Sequence, residues 1–280
     1  MTAPRYELLR GETLLELLKI PDGSIDAVIT DPPYSSGGAF RGDRMASTTL
    51  KYVSSSTKIE RPDFTGDTRD QRAFAYWEAL WLAECLRVSR PAAPLCVFTD
   101  WRQIGATIDA VQAGGWIYRG IVPWDKGEGV RPKLSRPRNQ CEYIVWASNG
   151  PMPERPGVPV LPGCLRVPVL VAEKRHIAGK PIELMRAINR LCVPGGTILD
   201  PFAGSGSTGI AALLDGYRFV GIEREASYCA IAEAGLREAA SAGVQRMLLD
   251  VEAPRPPAHG ALALDQADQA GEAPEPEATE

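Results

Sequence analysis

The stretch Asp200-Pro-Phe-Ala-Gly-Ser-Gly-Ser-Thr-Gly209 limits the fold more than any other part of the chain. The apolar run Gly196-Thr-Ile-Leu-Asp200 before it reads as a buried strand, and Ile210-Ala-Ala-Leu-Leu214 after it as a helix. Gly204 and Gly206 lack a Cβ, so the backbone can turn sharply and a ligand can approach it closely. The free N–H groups of a helix start then face whatever anionic group lies there. A second strand, Tyr217-Arg-Phe-Val-Gly-Ile222, ends on Glu223, an acceptor suited to a ribose diol. Gly204, Gly206 and Gly209 match G-x-G-x-x-G, with Glu223 about twenty residues on. That spacing fits a nicotinamide dinucleotide or S-adenosylmethionine, and the glycines alone do not separate the two.

A second motif, Asp31-Pro-Pro-Tyr34, follows the apolar run Ile25 to Thr30, so it stands at a strand's carboxyl end, where open α/β sheets bind ligands. An Asp-Pro turn alone is common, but it does not account for an aromatic placed after two prolines. The amine of adenine or cytosine is a poor nucleophile because its lone pair is delocalised into the ring. Asp31 and the Pro32 carbonyl can each accept one of its N–H bonds and aim the lone pair at a methyl donor. Pro32 and Pro33 stiffen the backbone that carries those acceptors. Tyr34 can stack on a base taken out of the duplex, an interaction of about 1–3 kcal/mol.

Between and around these motifs, strand and helix patterns alternate. Short strands are expected over residues 6–9, 95–99, 116–124 and 141–147, and helices over 13–19, 74–87, 101–113, 181–192 and 226–240. The alternation predicts an α/β sandwich with a largely parallel sheet. The aromatics Phe74, Trp77, Trp81 and Trp124 read as core. Residues 35–72 form a long polar stretch, and residues 149–176 an irregular insert whose prolines forbid a regular helix or central strand. Lys126 to Arg138 carries Lys126, Arg131, Lys133, Arg136 and Arg138 against Glu128 alone, the signature of a phosphate-facing loop.

A net charge of −4 looks wrong for a nucleic-acid binder, but the deficit sits in the tail. Residues 251–280 carry −6, which leaves +2 on residues 1–250. The tail is rich in Pro, Ala and Glu, cannot bury enough apolar surface to order itself, and is expected to be disordered. The six cysteines are scattered without a C-x-x-C pair, so no metal site or disulfide frame is expected. No apolar run is long enough to cross a bilayer, and the start lacks an apolar signal core, so a cytoplasmic protein is expected.

With both motifs in view, residues 6 to 240 resemble the amino DNA methyltransferases, which modify adenine N6 or cytosine N4. In that family Asp-Pro-Pro-Tyr is the catalytic motif and Asp-Pro-Phe-x-Gly-x-Gly the S-adenosylmethionine motif. Here the catalytic motif comes first, an order similar to the circularly permuted β class. The resemblance implies a Rossmann-like S-adenosylmethionine-dependent methyltransferase fold, circularly permuted, with a mostly parallel sheet and helices on both faces. A dehydrogenase would set its glycine loop early, so the resemblance decides for S-adenosylmethionine. His176-x-x-x-Lys180-Pro181 resembles the family's helix motif at the methionine end of the cofactor. Trp124-Asp-Lys126 and Glu142-Tyr-Ile-Val145 resemble strands that close the sheet. The family often carries Gly-Asp near its start, where this chain has Gly11-Glu12.

The implied transfer site is Asp31, Pro32, Pro33 and Tyr34. The implied cofactor residues are Lys180, Asp200, Phe202, Gly204, Gly206 and Glu223, and the DNA contacts are Lys126, Arg131, Lys133, Arg136 and Arg138. Asp at the head of the catalytic tetrad leans toward adenine, since many cytosine-N4 enzymes begin with Ser. The competing expectations are cytosine N4, a nicotinamide oxidoreductase, and a non-catalytic DNA-binding module. Double-stranded DNA is the implied partner, a homodimer and a separate restriction endonuclease being further open partners. In domain terms, residues 1–250 are expected to form the catalytic domain, with 35–72 facing DNA and 149–176 reading sequence. All of this requires Tyr34 and Phe202 to share one cleft.

Overall fold

A computed structural model describes residues 5–34, 69–128, 134–135, 137–154, 158, 160–168 and 179–252, with side chains in the last helix described through residue 242. Most of the expected polar loop, much of the proline-rich insert, His176, Arg131, Lys133, Arg136 and the acidic tail lie outside the described residues.

The strands are β1 (Tyr6–Arg10), β2 (Ala27–Thr30), β3 (Pro94–Thr99), β4 (Ile117–Asp125), β5 (Cys141–Ser148), β6 (Leu165–Arg166), β7 (Thr197–Asp200) and β8 (Arg218–Glu223). They form one eight-stranded sheet in the order β1-β8-β7-β2-β3-β5-β4-β6. β5 runs antiparallel to both its neighbours, and the remaining pairings are parallel. The helices are α1 (Thr13–Leu17), α2 (Gln71–Val88), α3 (Ile104–Ala113), α4 (Ile182–Asn189), α5 (Ser207–Leu214) and α6 (Ala226–Glu252).

The apolar runs become central strands because both of their faces are covered. Ile29, Phe98, Ile198 and Phe219 point to one side, where they meet α4, α5 and α6 through Leu184, Met185, Ala211 and Leu236. Val28, Leu95, Val97 and Leu199 point to the other, where Leu17, Trp81, Leu82 and Val111 of α1, α2 and α3 cover them. Adjacent residues of one strand thus feed opposite cores, as the two-residue side-chain period of a strand demands.

Several boundaries differ from the sequence pattern for identifiable reasons. α2 begins at Gln71 rather than Phe74 because the Asp70 carboxylate accepts the Ala73 N–H at 2.9 Å and caps it. α3 begins at Ile104 rather than Trp101 because Asp100 Oδ1 accepts from Arg102 N (2.9 Å) and Gln103 N (3.0 Å), holding a turn. α6 runs past Ala240 to Glu252, and the first proline after that point is Pro254. The insert contains one short strand, β6, hydrogen-bonded beside the end of β4. Pro162 and Pro168 flank it, which keeps it to a sheet edge.

The consequence for function lies in the strand order. β2, early in the chain, pairs directly with β7, late in the chain, at Ala27↔Ile198 and Val28↔Leu199. From this pair the sheet continues to β8 on one side and to β3 on the other. That is a topological switch point, where loops diverge and leave a crevice at the carboxyl ends of the strands. Both sequence motifs begin at this pair of ends.

Candidate active site

The two motifs are tied together by one hydrogen bond. Thr30, the last residue of β2, donates to Asp200 Oδ1 at 2.7 Å, and Asp200 is the last residue of β7. The same oxygen accepts from Phe202 N at 3.0 Å, and Oδ2 accepts from Thr208 Oγ1 at 2.6 Å. Asp200 is buried, and its bonds join β2, β7 and the first turn of α5. Burial pushes its carboxyl up to about 6, against the pull of these donors.

The glycine loop between β7 and α5 has the conformation its composition anticipates. Gly206 caps α5 at φ 85°, a backbone a side chain would strain, and no side chain caps the helix. Glu223 sits beside the loop: its Oε2 accepts Gly204 N at 2.9 Å, and its Oε1 accepts Glu225 N at 2.7 Å. Phe202 packs against Trp81 (centroids 5.1 Å) and Trp77 (5.4 Å) of α2 and is half-buried. Glu12 turns away to cap α1, accepting Leu14 N at 2.8 Å. The residues present fit a bound molecule with an anionic end at α5 and hydroxyls at Glu223.

Across the β2–β7 pair lies a partly buried charged cluster. Lys180, in the segment leading into α4, places Nζ 2.8 Å from Asp31 Oδ2 and 3.1 Å from Glu142 Oε2. Lys126 Nζ, just beyond β4, is 3.0 Å from Glu142 Oε1. Tyr34 OH lies 3.5 Å from both Glu142 Oε2 and Lys180 Nζ. The rings of Phe98 and Trp124 form the floor, 5.1 and 5.8 Å from the Lys180 ammonium. Trp124 is buried, its indole N–H bonded to the Val167 carbonyl at 2.8 Å. Gly179 explains how Lys180 reaches this position. A Cβ there would lie 2.8 Å from Ser205 Oγ and 2.4 Å from Ser207 Oγ, so the segment rests directly on the glycine loop.

Electrostatics follow from this packing. Burial would lower the Lys180 ammonium, but Asp31 and Glu142 outweigh it and hold it well above the ordinary lysine value. Burial would raise Glu142, yet Lys180 and Lys126 bring it to about 2. Asp31 stands above the ordinary aspartate value: burial raises it, Lys180 draws it partly back, and Glu142 adds to the rise. Its Oδ1 is buried with no hydrogen-bond partner among the described residues. An orphaned carboxylate oxygen is costly unless a ligand completes it.

The family profile described as DNA methylase, covering N6 and N4 methyltransferases, matches residues 25–161 and 164–234. The chain belongs to this DNA methylase family. The methylase is 28% identical over 261 residues to the type II methyltransferase M.HinfI of Haemophilus influenzae, covering 82% of this chain and 68% of that protein. It is similar in structure to M1.HpyAVI in its SAM complex, with TM-score 0.58 and 20% identity over 82% of this chain and 98% of that one. The cytosine-N4-specific PvuII DNA methyltransferase gives the same TM-score, 0.58, at 18% identity over 88% of this chain and 95% of that one. The fold is that of the DNA methyltransferases.

The methylase brings Asp31, Pro32, Tyr34, Lys180, Asp200, Phe202, Gly204, Gly206 and Glu223 to the carboxyl end of one sheet. Two placements differ in kind from the sequence grouping. Lys126, grouped with the basic loop, is spent on Glu142 and only 17% of its side chain is exposed. Lys180 faces Asp31 rather than the glycine loop. Arg138 stays on the loop, where it donates to the Glu128 carbonyl. Glu142 was not among the sequence candidates. Its signal was faint but present: an acid in the apolar strand Cys141–Ser148, in register with Trp124. Among the described residues no group of His, Cys, Asp and Glu could hold a metal ion, and no helix is long and apolar enough to cross a membrane.

Proposed function

We propose that the chain is a site-specific DNA methyltransferase that moves a methyl group from S-adenosylmethionine to the exocyclic amine of a flipped base, adenine N6. The observation that carries this reading is the pairing of β2 with β7, which sets the Asp31 carboxylate beside the loop that begins at Asp200. S-adenosylmethionine would supply an electrophilic methyl on a sulfonium sulfur, which keeps the S–CH3 bonding pair and leaves as a neutral thioether. Gly204, Gly206 and the uncapped start of α5 receive its carboxylate end, Glu223 its ribose, and Phe202 its adenine side. Asp200 acts one layer back, holding the loop in shape. Lys180 reaches toward the carboxylate end through its backbone and toward Asp31 through its ammonium.

The target amine binds at the other half. Asp31 Oδ1 and the Pro32 carbonyl accept its two N–H groups and turn its lone pair out of conjugation. Pro32 and Pro33 hold those acceptors still, and Tyr34 stacks on the base. As the new N–C bond forms the nitrogen becomes cationic, and it sheds one proton to Asp31, which passes it to water. Arg131, Lys133, Arg136 and Arg138 line the duplex as phosphate contacts on double-stranded DNA. The finer choice of adenine rests on Asp31 heading the tetrad. Likeness to a cytosine-N4 enzyme keeps that base as the second reading.

The deciding experiment incubates the purified chain with tritiated S-adenosylmethionine and mixed-sequence DNA, then hydrolyses the DNA and separates the nucleosides. Label in N6-methyladenine is the expected result. Label in N4-methylcytosine would move the reading to the second base, and no label in DNA would overturn it.

A further inference from the structure

We propose that Glu142 is a positioning residue for this transfer: from β5 it holds the Lys180 ammonium against Asp31 Oδ2, leaving Oδ1 alone to accept the target amine. The inference rests on the methyl-transfer reading above, and its geometry does not. Each oxygen of Glu142 is tied to a different lysine, Oε1 to Lys126 at 3.0 Å and Oε2 to Lys180 at 3.1 Å. Each oxygen of Asp31 has a different fate, Oδ2 bonded to Lys180 at 2.8 Å and Oδ1 buried without a partner among the described residues.

A carboxylate paired to one ammonium alone has two equivalent ways to bind it, and the ammonium can slide between the oxygens. Lys180 cannot, because Glu142 pulls Nζ to one side of Asp31. The aromatic floor of Phe98 and Trp124 blocks retreat, and only 13% of the Lys180 side chain is exposed. A fixed Oδ1 has fixed lone pairs, which a reaction with strict angular demands requires. The cluster is also balanced, with two carboxylates against two ammoniums, so it needs no counter-ion from DNA. Lys126 thereby gains a purpose other than phosphate contact: it keeps Glu142 ionised and in place.

The test uses the full chain and three variants, Glu142→Gln, Glu142→Asp and Lys180→Met. The titratable and charged groups facing Asp31 are Lys180 before α4, Glu142 on β5 and Asp200 on β7, with Tyr34, Lys126 beyond β4 and Asp100 after β3 facing Glu142 behind them. Titration of the Asp31 carboxyl in cofactor-free protein, followed by carbon-13 NMR and assigned with Asp31→Asn, is the first readout. Glu142→Gln removes a negative neighbour and lowers the Asp31 midpoint, whereas Lys180→Met removes a positive one and raises it. Glu142→Asp keeps the charge and leaves the midpoint near that of the unaltered chain.

Steady-state methyl transfer to DNA is the second readout. In Glu142→Gln, kcat falls on the order of 10- to 100-fold while KM for DNA changes little. In Glu142→Asp, shorter by one methylene, kcat also falls, because charge without reach does not hold Lys180. Midpoints that fail to move in opposite directions, or a Glu142→Gln variant with unchanged kcat, would overturn the proposal. No transfer by the unaltered chain would instead overturn the function beneath it, and the titration would still decide whether Glu142 and Lys180 act on Asp31.

Discussion

Asp31 follows the last residue of β2 and Asp200 ends the neighbouring parallel strand β7, each is followed by a proline, and each lies beside the same crevice, yet their surroundings differ in every other respect. Asp200 is saturated: Thr30, Thr208 and the Phe202 N–H occupy its two oxygens with neutral donors. Among the described residues Asp31 has one charged partner, Lys180, on Oδ2, and none on its buried Oδ1. Neutral donors that come from the chain's own strand, loop and helix make an aspartate into a brace. A single cation and an orphaned acceptor make it into a site, because a buried acceptor left unpaired costs about 1–3 kcal/mol until a ligand completes it. The Asp-Pro dipeptide is the same, and what surrounds it separates the two roles.

The largest expected effect tests that separation at Asp31. Asp31→Ala should lower methyl transfer by roughly 10²- to 10³-fold, the scale of removing one well-placed polar group from a reacting centre. Cofactor affinity measured by calorimetry should be retained. A variant that transfers methyl at close to the normal rate would make Asp31 a second brace and erase the contrast. Asp200→Ala should show the reverse order of damage. Loss of its bonds should cost about 1–3 kcal/mol in denaturant unfolding, and the loosened loop should lose cofactor affinity.

The brace also carries a pH signature. Asp200 has an ordinary value of 3.8 and is brought to about 6 by burial. The folded protein therefore takes up a proton over that interval. Its contribution to stability is full below the ordinary value and lost as pH rises through about 6. Asp200→Asn should flatten that part of the profile.

Glu78 supplies the reference for burial without a charged partner. It lies on α2, fully buried, with no close hydrogen-bond partner for either oxygen among the described residues, and burial, offset only in part by the Thr107 hydroxyl, raises it from 4.5 to about 8. The sign is the same as for Asp200 and the window is wider: stability is full below 4.5 and drains away as pH rises through about 8. Glu78→Gln should be more stable than the unaltered chain at pH 9, by roughly 2 kcal/mol or more, with the advantage shrinking toward pH 5. Thermal unfolding across that range checks it. A constant difference at all pH values would mean that Glu78 finds a partner in solution.

The strands that carry both motifs were legible in the sequence because they are short apolar runs that end on an acid, and burial on two faces leaves them little other choice. That the two motifs meet was expected from their chemistry, whereas the direct pairing of β2 with β7 had no local pattern to announce it. The cluster around Glu142 was not legible, because its members come from the ends of β4 and β5 and the segment before α4, which only the closed sheet brings together. Lys126 illustrates the limit. Along the chain it is the first of a run of basic residues, while in space it is a half-buried partner of Glu142. β6 was hidden for a different reason: two hydrogen-bonded residues between prolines carry no periodicity to detect.

The smallest expected effect separates Lys126 from its sequence neighbours. A residue that neutralises a phosphate releases about one counter-ion, so its loss changes the slope of log affinity against log salt by roughly 0.9. Arg138 stands on the loop, its guanidinium donating to the Glu128 carbonyl and, among the described residues, paired with no carboxylate, and a carbonyl does not neutralise it. Arg138→Ala should therefore shallow the salt slope by about one charge. Lys126 is already neutralised by Glu142, whose carboxyl it helps to hold at about 2. Lys126→Ala should leave the slope where it was and instead lower kcat, by releasing Glu142 from one of its two anchors. Fluorescence anisotropy with a labelled duplex over a salt series measures both. Equal slope changes in the two variants would return Lys126 to the phosphate-binding group and leave Glu142 with Lys180 as its sole anchor.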